Sequence, residues 1–430
     1  MPFQLPGGFA LGVASAATQI EGGDRNNSWY DWYQKGRIKD GSDPSVAAEH
    51  YARYEADAAL MHELGIRHYR LGVEWARLEP ERGMYDAAAF AHYRDELRLL
   101  KSLGVEPLLT LHHFTNPLWF ERMGAFLHPE SADIFLSFVE KVVTELGDLV
   151  GEYITINEPN VYATLGYFFG EWPPGRKSLP ETVRVMNRLC ECHVHAYELI
   201  HRLRKARGYT DTKVGYAHHM RVFVPMNPKS AADRLCAKIM RQVFQAAVSK
   251  SFLTGKASFP LVRVRGAGKG PFCDFHAVNY YSRTAVSGFT SGFLPDAPVN
   301  GLGWEVYPDG IALCAKELHA LCELPIYVTE NGTCDNADAF RSRYIAEHLR
   351  ALAESGLPVV RYYHWCFTDN FEWLEGGSAR FGLVHVDYAT QARTVKPSGR
   401  FYAELIENSG VTEQMERMYC EAEYPTNAQL

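Results

Sequence analysis

Two glutamates occupy the same uncommon place in the chain. In YITINEPN (153–160) an apolar run ends in Asn157-Glu158 and is stopped by Pro159; in IYVTENG (326–332) a second run ends in Glu330 and breaks at Asn331-Gly332. A carboxylate that closes a buried strand costs solvation free energy unless an ion pair, a metal or a reaction needs it there. Two such groups facing one cleft suit glycosidic bond cleavage. That reaction wants one protonated acid to donate to the leaving oxygen and one ionised carboxylate to attack the anomeric carbon or activate water.

The elements that would position them recur along the chain. Short β-branched or aromatic runs start near residues 9 (FALGVAS), 68 (HYRLGV), 106 (EPLLTLH), 153 (YITIN), 213 (KVGYAHH), 274 (DFHAVNYY), 325 (PIYVTEN) and 359 (VVRYYHW). Helical patterns lie between them, among them 54–65, 91–104 and 131–147, each closed by a glycine suited to a left-handed cap. Eight apolar strands alternating with helices predict an α/β fold, a single (β/α)8 barrel with a parallel sheet. Glu158 and Glu330 then fall at the C-terminal ends of the fourth and seventh strands, the face on which such barrels place catalysis. A minimal barrel needs about 250 residues, so long insertions are expected at 14–66, 159–212 and 282–324. The 430 residues are read as one glycosidase domain, 1–430, with the barrel over about 8–407 and a polar tail over about 411–430 that has no assigned role.

A formal charge of −7 without a basic run argues against nucleic acid as a partner. The N-terminal segment has no basic region ahead of its small-residue run, which predicts neither a signal peptide nor a membrane span and makes the cytoplasm the default location. Nine cysteines without a Cys-x-x-Cys pair fit reduced thiols.

The ordered motifs resemble those of family 1 glycoside hydrolases, typified by β-glucosidases and β-galactosidases, from about residue 8 to about residue 407. FALGVASAATQIEG is similar to the family's N-terminal signature and carries Gln19; TLHHFTNPLW supplies His113; TINEPN supplies Asn157 and the acid/base Glu158; YVTENG supplies the nucleophile Glu330. NYYS brings Asn279 and Tyr281 to support the nucleophile together with Arg70, and WCFTDNFEWLEGGSARFGL carries Trp365, Glu372 and Trp373.

The resemblance implies a retaining, exo-acting β-glycosidase that works by double displacement on a small β-glycoside or oligosaccharide, without metal or cofactor. Glucose is the expected glycone, with galactose or fucose as additional ones. Transglycosylation, another glycone such as a uronic acid, and a non-catalytic sugar-binding relative are the alternatives. On this reading Arg70 and Tyr281 hold Glu330 ionised, and burial keeps the proton on Glu158. Asn157 bonds the sugar 2-hydroxyl; Gln19, His113, Glu372 and Trp373 meet other hydroxyls; Trp365 forms an apolar wall.

The chain departs from the family pattern at Phe114 and Leu11, where tryptophan is usual; Phe114 deprives the sugar site of an indole N–H. Glu74, just beyond Arg70, is expected to pair with an arginine. Relatives that cleave 6-phosphorylated sugars have a serine in place of the Glu372 acid, with a lysine and a tyrosine downstream. Here those positions read Glu372, Ala379 and Phe381, which predicts poor use of phosphorylated substrates. The histidine-rich stretches 112–113, 218–219 and CECHVH (190–195) invite a metal site. In the last, residues two apart on a helix diverge, so the four ligands cannot converge on one ion.

Overall fold

The computed structural model describes residues 2–427. Its eight barrel strands, here β1–β8, are Ala10–Ala14, His68–Gly72, Glu106–Thr110, Glu152–Asn157, Lys213–Pro225, His276–Ser287, Ile326–Asn331 and Val359–Trp365. Neighbours in sequence pair in parallel, and β8 pairs back onto β1, with Tyr362 beside Leu11 and Trp365 beside Ala14. The sheet is thus closed into a (β/α)8 barrel, and all eight runs picked out in the sequence are its strands.

Closure works because the strands are apolar on both faces. Ala14, Leu108, Ile154, Ala217, Ala277, Tyr327 and Tyr363 belong to one buried cluster. Val13, Leu109, Tyr153, Val214, Val278, Val328 and Tyr362, each an odd number of residues away, belong to another that includes the surrounding helices. This period of two separates the barrel interior from the helix-facing layer. Arg70 shares the interior register, beside Ala14 on β1 and Leu108 on β3, and is fully buried. A buried guanidinium demands acceptors, and the strand ends supply them.

The helices obey their caps. Helix Ala87–Ser102 starts on Asp86, whose Oδ1 accepts the N–H groups of Ala88 and Ala89. Gly65 and Gly104 end their helices with φ of +73° and +71°, as expected. Gly147 does not: it stays right-handed at φ −68°. Its carbonyl accepts Arg204 Nη1, and a Cβ there would stand 2.3 Å from the Val143 carbonyl oxygen, so close packing rather than a left-handed turn calls for glycine.

The insertions build the rim. Strands β5 and β6 continue past the barrel, pairing Val222–Pro225 with Arg283–Val286, and Thr290–Gly292 folds back antiparallel onto β6. Residues 159–212 contain helix Pro159–Ala163, a π-helical turn Thr164–Phe169 and the long helix Leu179–Ala206. The polar tail also has a place: after helix Glu413–Tyr419, Pro425 and Asn427 exchange backbone hydrogen bonds with Val299 and Ala297, and Tyr424 donates to Glu347 at 2.8 Å. Among the described residues, no helix is long and apolar enough to cross a membrane.

Candidate active site

Glu158 follows β4 directly and adopts a left-handed backbone, φ +42° and ψ 60°. Pro159 then opens the next helix, and its ring disfavours a right-handed helical backbone at the residue before it. Glu330 lies within β7. Both are buried.

Each Glu330 oxygen receives its own donor: Arg70 Nη1 reaches Oε1 at 2.5 Å and the Tyr281 hydroxyl reaches Oε2 at 2.6 Å. Arg70 also donates to Thr110 Oγ1 (3.1 Å), the Thr329 carbonyl (3.1 Å) and Asn157 Oδ1 (2.7 Å), which fixes the guanidinium across the barrel mouth. Asn279 departs from its expected role beside the nucleophile. Its Nδ2 donates to Glu158 Oε1 (2.8 Å) and Asn157 Oδ1 (3.0 Å), and its Oδ1 accepts from Thr329. The reason is stagger: a register shift at Val278/Asn279 aims this side chain across to the end of β4, and Tyr281, two residues on, takes the place beside Glu330.

The other expected sugar contacts converge on the same mouth. Asn157 Nδ2 donates to His113 Nε2 at 3.0 Å, so the His113 proton sits on Nδ1, which is buried without a protein partner. Burial and the Arg70 charge keep that ring neutral. Gln19 Nε2 donates to the Phe371 carbonyl (2.9 Å) and Glu372 Oε2 (3.3 Å), leaving its buried Oε1 unpartnered. Trp365 Nε1 also donates to Glu372 Oε2, at 3.4 Å. Trp365 and Trp373 lie nearly parallel to His113, with centroids 5.8 and 5.9 Å away. Phe114 packs edge-on against Trp172 (4.8 Å) and Trp373 (5.4 Å). Phe114 and Trp373 share the left-handed backbone of Glu158, with φ of +66° and +50°. Such strain persists only where surrounding structure holds it, and it concentrates at functional sites.

An open cavity of ≈ 310 Å³ joins these groups: His113, Phe114, Glu158, Tyr281, Glu330, Trp365, Glu372 and Trp373 line it. Of the insertion aromatics, Trp172 and Trp304 reach the cavity, Tyr167 is buried away from it, and Phe168 and Phe169 are exposed. Two further residues line the cavity: His219, which the sequence offers only as a candidate metal ligand, and Arg221, which it does not single out. The signal for His219 is its place on β5, in register with Asn279 on β6.

These two residues decide where the proton of the carboxyl pair resides. Burial pushes Glu330 up to about 7, helped by the charge of Glu158 and opposed by Arg70 and Tyr281. Glu158 is drawn below its usual range because His219, Asn279 and Arg70 together outweigh burial. That distribution reverses the expectation, but it requires His219 to be an imidazolium. Arg221 Nε donates to His219 Nε2 at 2.8 Å, and an imidazolium, a donor at both nitrogens, cannot accept that bond. Burial likewise holds His219 below its ordinary value. The ring is neutral, so the part of its pull on Glu158 that comes from charge lapses while its hydrogen bond and that of Asn279 remain; the direct ion pair with Arg70 favours the ionised form of Glu330.

Glu74 does not pair with an arginine. It caps helix Trp75–Leu78 through the Ala76 N–H (3.2 Å) and accepts the Thr18 hydroxyl. Burial, reinforced by the charges of Asp24 and Glu21, pushes it up to about 8. Because the folded value lies above the unfolded one, its penalty is absent below about pH 4.5 and grows until about pH 8. Glu74→Gln is therefore expected to gain stability relative to wild type across that window, by up to about 1.4 kcal/mol per pH unit. Chemical denaturation of both proteins across the window checks this, and parallel curves would contradict it.

The histidine stretches are occupied by ordinary hydrogen bonds. His112 Nε2 pairs with Asn116, His218 Nδ1 with Ser249, and His193 Nδ1 with Thr155, at 2.9, 3.2 and 2.8 Å. His195 bonds Glu198 and the Arg265 carbonyl.

Comparison with known proteins places this architecture. The profile of glycosyl hydrolase family 1 matches residues 1–268 and 273–411. β-Glucosidase A of Thermotoga maritima is 30% identical, over 95% of this chain and 99% of its own. A β-galactosidase of Pyrococcus woesei is 27% identical, over 96% and 99%. Among solved structures, a β-glycosidase from Pyrococcus horikoshii superposes with a TM-score of 0.89 at 32% identity, covering both chains fully. The Thermotoga maritima β-glucosidase in complex with glucoimidazole does so with 0.87 at 28%, over 95% of this chain and 100% of that one.

Proposed function

Starting from the chain's membership of glycosyl hydrolase family 1, we propose that this retaining β-glycosidase takes unphosphorylated β-glucosides as its best substrates. Glu330 attacks the anomeric carbon, and Glu158 protonates the leaving oxygen from the other side of the scissile bond. The glycosyl-enzyme then reacts with water deprotonated by Glu158, and two inversions restore the β configuration. One observation carries the assignment: of the carboxyls of Glu158, Glu330 and Glu372, which share one cavity, only that of Glu330 touches a guanidinium.

The surrounding groups fit the same course. Asn157 uses one amide hydrogen on His113, and its carbonyl is held by Arg70 and Asn279, so its second amide hydrogen is available to the sugar 2-hydroxyl. The unpartnered His113 Nδ1–H and Gln19 Oε1 offer one donor and one acceptor to further hydroxyls. Burial pushes Glu372 up to about 8, so at neutral pH it can donate as well as accept.

That protonation changes the argument against phosphorylated sugars. The obstacle is desolvation of a phosphate dianion without a cation at the positions of Ala379 and Phe381, since both are apolar core and the cavity's lysine, Lys39, is exposed and paired with Glu375. A nitrophenyl β-glycoside panel tests the reading. The glucoside is expected to turn over fastest, and the 6-phosphoglucoside at least about 10²-fold more slowly in kcat/KM, as a site that leaves a buried polar group unpaired discriminates. Faster turnover of the 6-phosphoglucoside or the glucuronide would overturn it.

A further inference from the structure

We propose that Arg221 locks His219 in the neutral, Nδ1-protonated form and thereby keeps on Glu158 the proton it must donate to the leaving group, making both positioning residues for the acid/base. The inference rests on the role proposed above for Glu158.

The geometry is specific. His219 Nδ1 lies 3.1 Å from Glu158 Oε1, and Asn279 Nδ2 lies 2.8 Å from the same oxygen. Both protein donors thus converge on Oε1, so that when the acid is protonated its proton has its place on Oε2. Nε2 of His219 is occupied by Arg221 Nε at 2.8 Å. Both ring nitrogens are thus engaged, and the ring lies between Tyr281, nearly parallel at 5.9 Å and 19°, and Phe244, edge-on at 6.0 Å. Arg221 is itself anchored, its backbone N–H on Gln245 Oε1 (3.1 Å) and Nη1 near Thr284 Oγ1 (3.5 Å). It forms no ion pair among the described residues; its charge, which also acts on Glu158, lowers the basicity of the His219 ring that it touches.

Consider the same proton count without Arg221. Nε2 is then open, and imidazole is more basic than a carboxylate by about 2 pH units in ordinary surroundings. The Glu158 proton moves to the ring, giving an imidazolium–carboxylate pair that holds a charge where the reaction needs an acid. The other groups facing this pair act in both states alike. Arg70, Glu330 and Glu372 look on from across the cavity, Asn279 and the neutral Tyr281 phenol from β6, and the buried, neutral His218 from β5 itself.

Leaving-group dependence reads this directly, because a 2,4-dinitrophenolate departs without protonation and a phenolate does not. Arg221→Met is expected to lose about 10²-fold in kcat/KM on phenyl β-glucoside, the scale of general acid catalysis, and less than about 3-fold on 2,4-dinitrophenyl β-glucoside. In Arg221→Met/His219→Asn the side chain facing Glu158 cannot titrate, so most of the phenyl glucoside activity is expected to return. Equal losses on both substrates, or a double variant no better than the single one, would overturn the lock.

Glu158→Gln separates the two readings. If it lacks the asymmetry between substrates, the acid/base assignment itself fails. If it shows the asymmetry and Arg221→Met does not, the lock alone fails. Should Arg221→Met fold poorly, 15N NMR of histidine-labelled wild type decides, with the resonance assigned by its loss in His219→Asn. Around pH 6, close to the ordinary histidine pKa, His219 is expected to be protonated at Nδ1 alone; protonation at both nitrogens would overturn the proposal.

Discussion

Glu330→Gln is expected to lower kcat/KM on every aryl β-glycoside by on the order of 10⁴-fold or more, about 5.4 kcal/mol of transition-state stabilisation. The amide cannot form the glycosyl ester, so good and poor leaving groups suffer alike. Glutamine is the informative replacement because it keeps the shape and leaves an oxygen for Arg70 and a neighbour for Tyr281. Truncation to alanine would strand a fully buried guanidinium, which costs roughly 3–5 kcal/mol in stability and confuses lost chemistry with lost fold. Stopped and continuous assays on purified, folded protein check the prediction. Loss confined to phenyl glycosides would mean that Glu330 is the acid and not the nucleophile.

Glu158→Ala has the opposite signature. Loss of the acid is expected to cost about 10²–10⁴-fold on phenyl glucoside and far less on 2,4-dinitrophenyl glucoside in the first step. The glycosyl-enzyme then accumulates because no base activates water. Azide, a nucleophile that needs no base, is expected to enter the cleared space and restore turnover, giving the β-glycosyl azide by a second inversion. An α-azide, or no response to azide with intact folding, would contradict the role. The wild-type pH profile is expected to be bell-shaped, with limbs that belong to the coupled pair rather than to either residue.

The barrel was legible because each strand repeats one local pattern, apolar on both faces and closed by a turn, and the C-terminal ends of β4 and β7 followed from counting. Glu158, Glu330, Arg70 and Tyr281 come together where strand order and period place them. Asn279 was placed one partner away, since a register shift between β6 and β7 has no local sequence cue. Glu74 is misleading for a similar reason: adjacency to Arg70 in sequence says little across a strand-to-helix turn, and its partners, Thr18 and the Ala76 N–H, lie on the short helix Ala17–Ile20 and in its own cap. His219 and Arg221 were invisible as a pair because their meaning depends on Glu158, about sixty residues away, and on Tyr281 stacking over the ring. The tail seemed featureless because its contacts with Ala297 and Val299 are made by backbone, which no side-chain pattern announces.

The assignment of Glu330 as nucleophile is tested most directly by trapping. A 2-deoxy-2-fluoro β-glucoside with a dinitrophenyl leaving group destabilises the oxocarbenium-like transition states, and the activated leaving group lets the first step outrun the second. Mass spectrometry of the proteolysed enzyme should then find one fluoroglucosyl group on the peptide containing Tyr327-Val328-Thr329-Glu330, located at Glu330 by fragmentation. Label on any other residue, or turnover of the reagent without a covalent species, would contradict the account.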